Sequence, residues 1–91
     1  MTANSPTIRF YCTLWCSDCT RAQQLLDERG IAYDCIDIDT DAGGAAYVRS
    51  VNNGYHSVPT LVFPDGSILV EPSDGQLSDR LQQLGLGRPV R

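Results

Sequence analysis

One stretch decides how the rest of the chain is interpreted, and it holds three of the four cysteines: Cys12-Thr13-Leu14-Trp15-Cys16-Ser17-Asp18-Cys19. It follows residues 7–12, a short run rich in strand-forming side chains, and it precedes a segment whose apolar residues have helical spacing. A C-x-x-C sequence at such a junction, inside a strand–helix unit, is typical of a redox site.

The two cysteines of this motif are predicted to have different tasks. Cys16 is expected where the helix begins, beside backbone N–H groups that have no partner within the helix. These groups and the helix dipole favour an anion, so we expect the sulfur of Cys16 to be stabilised as a thiolate. Cys19 lies three residues further on, over the same turn. It can therefore attack a disulfide formed at Cys16 and release the bound partner.

Length and composition narrow the class of protein. The 91 residues suit one domain, and we expect residues 1–6 and 87–91 to be flexible tails. A net charge of −4 argues against nucleic acid or an anionic membrane as a partner. The chain has no apolar run near the roughly 20 residues that span a bilayer, and its N-terminus does not resemble a signal peptide. We therefore expect a cytoplasmic monomer whose cysteines serve catalysis or metal binding.

Periodicity predicts a strand–helix–strand unit in the first half of the chain. Ser17 is the expected N-cap of the first helix, and Gly30 is expected to end it. Residues 31–39 are predicted to form a second strand, buried because apolar side chains occur on both of its faces. A strand, a crossover helix and a second strand make a right-handed unit, so these two strands are predicted to be parallel.

The second half predicts an antiparallel pair between two helices. The elements are a helix from Thr40 or Asp41 to about Asn52, a hairpin of residues 60–63 and 67–70, and a helix capped by Ser73 or Asp74. The whole order is β-α-β-α-β-β-α. It predicts an α/β fold with a four-stranded mixed sheet and flanking helices.

These pieces resemble the glutaredoxins of the thioredoxin-fold superfamily, and most of all their mycoredoxin-like branch. The matching segments are residues 15–19 (WCSDC), 31–34 with 36–39, 57–60 (SVPT), 63–67 (FPDGS) and 72–73, in the family's order. The resemblance implies a thioredoxin-like, glutaredoxin-type domain over residues 1–91. It also implies an enzyme that reduces protein disulfides or mixed disulfides. The co-substrate would be a low-molecular-weight thiol, mycothiol or glutathione, with no tightly bound cofactor.

The resemblance also implies roles for single residues. Cys16 corresponds to the nucleophile and Cys19 to the resolving thiol. Val58-Pro59 resembles the family's cis-proline dipeptide, which lies beside the active cysteine. A cis bond there would leave the backbone of Val58 free to pair with the backbone of a substrate.

Three further positions are candidates for binding. Ser73 and Asp74 match the helix start where glutaredoxins hold the carboxylate of a thiol cofactor, although plain N-capping explains them equally well. Residues 70–72 (VEP) stand where glutathione-using members usually carry a Gly-Gly pair. This departure leaves room for mycothiol, or for a flavin reductase of the thioredoxin-reductase kind, as electron donor. Trp15 is expected to be an exposed contact for a disulfide-containing protein substrate.

Asp18 and Arg21 are predicted to tune Cys16. Asp18 places a negative charge beside Cys16, which opposes ionisation of the thiol, while the same charge stabilises the first turn of the helix. Arg21 could complement the Cys16 thiolate or an anionic cofactor. A solvated position on the helix surface is an equally good interpretation of Arg21.

Two rival functions stay open. One is a dedicated electron donor to a single enzyme, such as a ribonucleotide reductase, fed by thioredoxin reductase. The other is a metal or iron–sulfur carrier on the same fold. A zinc site would need Cys35 or His56 as its fourth ligand, whereas zinc sites usually bring a second ligand pair, so we assign no metal ligand. Cys12 and Cys35 are instead expected to be small buried apolar groups, with a regulatory thiol near the active site as the alternative interpretation of Cys12.

Overall fold

The computed structural model describes residues 7–86, so both predicted tails lie outside the described residues. The elements are β1 (Ile8–Cys12), α1 (Ser17–Glu28), β2 (Tyr33–Asp37), α2 (Ala42–Val51), β3 (Thr60–Val62), β4 (Ile68–Val70) and α3 (Asp74–Gln83). The predicted order of helices and strands is confirmed. Within residues 7–86 no helix combines the length and the apolar character needed to cross a membrane.

The four strands form one mixed sheet in the order β2-β1-β3-β4. β1 runs parallel to β2 and antiparallel to β3, and β3 pairs antiparallel with β4. The prediction of a mixed sheet with a parallel pair and a hairpin is therefore confirmed. The turn of the hairpin uses Gly66 at φ 89°, a left-handed conformation that glycine adopts without steric cost.

The prediction that the second strand is buried is wrong. β2 is an edge strand, shorter than the predicted residues 31–39, and Asp34 and Cys35 are exposed on it. Apolar side chains occur on both faces of β2 because helices cover both sides of the sheet. Tyr33 packs against the core on one face and Ile36 against the core on the other. Apolar residues on both faces therefore indicated a covered sheet, not a central position.

Alternation along β1 divides the interior into two cores. Phe10, which is fully buried, points to the face covered by α1 and α3, while Tyr11 points to the face covered by α2. The larger core is made of Ile8, Phe10, Cys12, Cys19, Ala22, Leu26, Leu61, Phe63, Leu77 and Leu81. Cys12 and Cys19 are buried members of this cluster, and Cys16 packs against it, so the C-x-x-C motif lies on the surface of the main core.

The start of α1 differs from the prediction by one residue. Cys16, not Ser17, is the N-cap: its backbone is extended, and its sulfur accepts a hydrogen bond from the backbone N–H of Cys19. Ser17 is the first helical residue, so its hydroxyl is not the capping acceptor. The helix ends as predicted, since Arg29 is the C-cap and the following Gly30 has φ 66°.

Candidate active site

Cys16 lies between the start of α1 and the loop before β3. Its sulfur is half-buried and accepts a hydrogen bond from the backbone N–H of Cys19 at 3.3 Å. The thiol of Cys16 faces the carbonyl oxygen of Val58, 3.9 Å away. The structure thus brings together Cys16, Cys19 and Val58, three residues that the sequence placed at the site.

Cys19 is far less accessible than Cys16, with 2% of its surface exposed. Burial, the largest cause, and a hydrogen bond with Cys16 raise the pKa of the Cys19 thiol to about 12, although a hydrogen bond with the backbone of Thr13 acts in the opposite direction. At neutral pH Cys19 is therefore a protonated thiol. The two cysteines of the motif differ in access as well as in position.

The Val58–Pro59 peptide bond is cis, as predicted. Pro59 is buried, and its carbonyl oxygen accepts a hydrogen bond from the backbone N–H of Glu71 at 2.8 Å. This bond ties the loop before β3 to the end of β4. The loop is thereby anchored where the Val58 carbonyl faces Cys16, and pairing of Val58 with a substrate backbone stays a prediction.

Arg21 is engaged by two carboxylates. Its Nη2 lies 3.3 Å from Oδ1 of Asp18, and its Nε lies 3.5 Å from Oδ1 of Asp74. All three side chains are about half exposed, so each ion pair contributes little to stability. The arrangement places two negative charges around one positive charge where α1 and α3 begin.

Ser73 caps α3. Its hydroxyl accepts a hydrogen bond from the backbone N–H of Gln76 at 3.1 Å, and its own N–H donates to Oε1 of Gln76 at 2.9 Å. This reciprocal pair is a capping box, so the N-cap interpretation of Ser73 is confirmed. Asp74 follows as the first helical residue, and the role of both in holding a thiol cofactor stays a prediction.

A groove of about 270 Å³ lies beside the active-site loop, lined by Thr13, Trp15, Ile38, Asp39 and His56. Trp15 is 75% exposed, as predicted, and its Nε1 donates a hydrogen bond to Oδ2 of Asp39 at 2.9 Å. The hydroxyl of Thr13 is buried and has no hydrogen-bond partner among residues 7–86. The groove therefore presents an aromatic ring and a carboxylate, while the unsatisfied hydroxyl of Thr13 is buried in its wall.

Sequence reasoning missed several residues of this surface. No sequence pattern indicates Asp39 or Thr13. Asp39 matters because it accepts the hydrogen bond of Trp15, and Thr13 because its hydroxyl is buried without a partner. Leu14 is 84% exposed and Tyr55 is 71% exposed, although both are large and apolar. The position of Leu14 in the loop just before the C-x-x-C motif could have suggested a contact role, whereas no sequence pattern indicated that Tyr55 is exposed.

The prediction for the remaining cysteines is half correct. Cys12 is buried, with 2% of its surface exposed, but Cys35 is exposed because β2 is an edge strand. Their sulfurs are 2.8 Å apart. Across residues 7–86 the structure has no group of three or more His, Cys, Asp or Glu side chains arranged to hold a metal ion.

Comparison with known proteins identifies the family of this chain. The family model of glutaredoxins matches residues 8–68. The chain belongs to the glutaredoxin family. Mycoredoxin 1 of Corynebacterium glutamicum is 34% identical to this glutaredoxin over 77 residues, which are 85% of this chain and 95% of the relative. A Mycobacterium tuberculosis protein named provisionally as a glutaredoxin is 39% identical over 77 residues, 85% of this chain and 92% of its own length.

Solved structures agree with the fold of this glutaredoxin. The thioredoxin-like protein BC3987 superposes with a TM-score of 0.67 at 28% identity, covering 86% of this chain and 99% of its own. A glutaredoxin from Archaeoglobus fulgidus superposes with a TM-score of 0.69 at 22% identity, covering 81% and 84%. The thioredoxin-like, glutaredoxin-type fold is confirmed. Membership of the family makes the protein a thiol–disulfide oxidoreductase of the mycoredoxin-like branch.

Proposed function

We propose that this glutaredoxin reduces mixed disulfides between protein thiols and a neutral low-molecular-weight thiol of the mycothiol type, with Cys16 as the nucleophile. The observation that carries the proposal is the position of the Cys16 sulfur. It receives the Cys19 N–H at the start of α1 and faces the Val58 carbonyl beside the cis bond. A half-buried sulfur at a helix N-terminus is accessible and lies where negative charge is favoured.

The reaction is two successive thiol–disulfide exchanges. The Cys16 thiolate attacks the small-thiol sulfur of the mixed disulfide. The protein substrate leaves as a thiolate and takes up a proton. A second small thiol, as its thiolate, then attacks the small-thiol sulfur bound to Cys16, which releases a small-molecule disulfide and restores the Cys16 thiolate. The substrate disulfide gains two electrons, and two small thiols lose them.

The environment of Cys19 favours this external route. To resolve the intermediate itself, Cys19 would have to lose a proton and attack Cys16. Burial, the largest cause of the raised pKa of Cys19, persists when Cys16 is in the mixed disulfide, so little of the Cys19 thiolate exists at neutral pH. An external thiol of ordinary acidity supplies more thiolate. When the small thiol is in excess, resolution by Cys19 is therefore the slower branch, and it serves substrates that lack a small-thiol half.

The charges near the site favour a neutral thiol over glutathione. Arg21, the cation at the start of α1, is already paired with Asp18 and Asp74. Glutathione carries two carboxylates and one ammonium group, so it is anionic overall, and the net negative charge of this cluster disfavours it. The sugar part of mycothiol is uncharged and rich in hydroxyl groups, which suit the carboxylate of Asp39 in the groove. The similarity to a protein named Mycoredoxin 1 supports the same choice.

The exposed apolar side chains of the active-site region supply a contact for protein substrates. Leu14 and Trp15 lie on the loop that carries Cys16, and Tyr55 lies in the segment before Val58. Large exposed apolar groups of this kind mark interaction surfaces.

We propose the reducing cytoplasm as the setting, with a flavin reductase that regenerates the small thiol, because Cys16 must return to its reduced form after each turnover.

A comparison of electron donors tests the proposal. The protein and its Cys19→Ser and Cys16→Ser variants would be given a mixed disulfide with mycothiol plus its reductase, glutathione plus its reductase, or thioredoxin reductase plus NADPH. We expect turnover with mycothiol that survives in Cys19→Ser and is lost in Cys16→Ser. Activity with thioredoxin reductase alone, requiring both cysteines, would instead show a dedicated dithiol donor. Equal activity with glutathione would refute the charge argument.

A further inference from the structure

A second pair of cysteines lies outside the C-x-x-C motif. Cys12 is the last residue of β1, and Cys35 is the central residue of β2, the parallel neighbour of β1. In the sheet register Cys12 lies opposite Asp37 and Cys35 lies opposite Phe10. The two cysteines are thus diagonal neighbours on one face of the sheet. Their sulfurs are 2.8 Å apart, about 0.8 Å more than the length of a disulfide bond.

The two sulfurs have unequal environments. Cys12 is 2% exposed, and its pKa is raised far above its ordinary value, first by burial and then by its hydrogen bond with Cys35. Cys35 is exposed at the edge of the sheet, where a dissolved reagent can reach it. The side-chain amide of Gln23 on α1 donates a hydrogen bond to the Cys35 sulfur at 3.3 Å. Cys35 is thus the sulfur that is exposed and that receives a hydrogen bond, while Cys12 is buried next to it as a protonated thiol.

We propose that Cys12 and Cys35 form a second redox-active dithiol, which low-molecular-weight disulfides oxidise to an intramolecular disulfide without help from Cys16 or Cys19. This proposal is independent of the function argued above, since it concerns different sulfurs. It gives the protein a second site that stores a pair of electrons.

The step balances as two exchanges. The Cys35 thiolate attacks one sulfur of the small disulfide, a mixed disulfide forms on Cys35, and the first small thiolate leaves and takes up the proton lost by Cys35. Cys12 then gives up its proton and attacks the Cys35 sulfur. The Cys12–Cys35 bond forms, and the second small thiolate leaves with that proton. Two protein thiols are oxidised, and one small disulfide is reduced to two small thiols.

Where no excess of external thiol competes, the geometry favours the second exchange over a lasting mixed disulfide, even though Cys12 must first lose its proton. The sulfur of Cys12 already lies next to the atom it must attack, so no long side-chain search precedes bond formation. The bond would join the end of β1, which leads directly into the active-site loop, to β2. It would also close a loop that contains the whole of α1.

A variant that retains only this pair provides the test. Cys16→Ser/Cys19→Ser would be incubated with glutathione disulfide, and the product digested with trypsin and analysed by mass spectrometry. Cleavage after arginine places Cys12 in the peptide of residues 10–21 and Cys35 in that of residues 30–49. We expect a loss of about 2 Da, loss of both thiols and a cross-link between these two peptides.

Two matched controls define the order of events. With Cys12→Ala added, the reaction should stop at a glutathione adduct on Cys35. With Cys35→Ala added, Cys12 should stay reduced, because it is buried. Reduction of the oxidised double variant by excess dithiol should restore both thiols.

A lasting glutathione adduct on Cys35 in the double variant, or two unreacted thiols, would overturn the proposal. If the double variant does not fold, the same cross-link is sought in the wild-type protein, where fragmentation of the joined peptides must assign the bond to Cys12. Failure of the donor comparison with mycothiol would leave this result unaffected, and a missing cross-link in a protein that still turns over would refute only the second pair.

Discussion

The two thiol pairs of this glutaredoxin reach similar chemistry by different routes. Cys16 and Cys19 are three residues apart on one helical turn, whereas Cys12 and Cys35 are 23 positions apart and meet across two strands. In each pair, one sulfur is accessible and the other is buried with a raised pKa. The comparison teaches that a helix start can build a dithiol from local sequence alone. A sheet needs strand register to do the same.

Removal of the attacking sulfur should separate the pairs most sharply. Cys16→Ser should lower turnover of a mixed disulfide by at least about a hundredfold, because serine cannot form the covalent intermediate. Cys35→Ser should leave turnover within about twofold, since this sulfur does not face Val58. Steady-state kinetics with both variants makes the measurement. A large loss in Cys35→Ser would show that the two pairs exchange electrons during turnover.

The buried partner of the first pair should resist alkylation. In a variant that retains only Cys19, the rate with iodoacetamide should be at least about a hundredfold below that of an exposed thiol at neutral pH. The rate should keep rising with pH above 9.0, since burial, the largest cause of the raised pKa of Cys19, remains when Cys16 is replaced. The same variant in guanidinium should level off near the ordinary pKa of 9.0. If the alkylation rate of the folded variant also levels off near pH 9.0, the effect of burial on Cys19 is contradicted.

The same pKa fixes the direction of a stability change. The folded protein keeps the Cys19 proton to higher pH than the unfolded chain does. The contribution of this thiol to stability is therefore complete below about pH 9 and is lost as the pH rises toward about 12. Denaturant titrations of wild type and Cys19→Ala should show a shallower alkaline loss in the variant, and parallel curves would contradict the assignment.

The donor to Cys35 should have a moderate effect. Gln23→Ala removes the amide N–H that lies 3.3 Å from the Cys35 sulfur, and we expect the reaction of Cys35 with glutathione disulfide to slow by about threefold. Gln24→Ala, at the exposed next position of α1, is the matched control and should change nothing. Stopped samples analysed by mass spectrometry give both rates. Equal slowing in both variants would point to a general effect on α1.

The charge beside Cys16 should have the smallest effect. Asp18→Asn removes one carboxylate near the first turn of α1, and we expect alkylation of Cys16 at neutral pH to quicken by about twofold at low salt. The change is small because Asp18 is half exposed and already paired with Arg21. Asp79→Asn, an exposed change on α3, serves as control. A slower reaction in Asp18→Asn would show that the Asp18–Arg21 pair assists Cys16.

Local patterns predicted much of the fold because their causes are local. The seven elements followed from periodicity, the end of α1 from Gly30, and the cap of α3 from Ser73. The prediction of the N-cap of α1 was wrong because two adjacent residues can accept the capping hydrogen bond. Cys16 replaced Ser17 as N-cap, since its sulfur can accept the same N–H that a serine hydroxyl would accept. The start of α1 depends on which of the two adjacent side chains accepts the backbone N–H of the first turn.

The sequence by itself determined the order of elements and the positions of Cys16 and Cys19, because residues three apart on a helix share a turn whatever surrounds them. Tertiary structure alone decided that β2 lies at an edge, that Asp39 receives the Trp15 N–H, and that Cys35 is exposed with its sulfur against Cys12. These facts depend on which strands become neighbours and in which register. Side chains that are distant along the chain meet only after the sheet has formed.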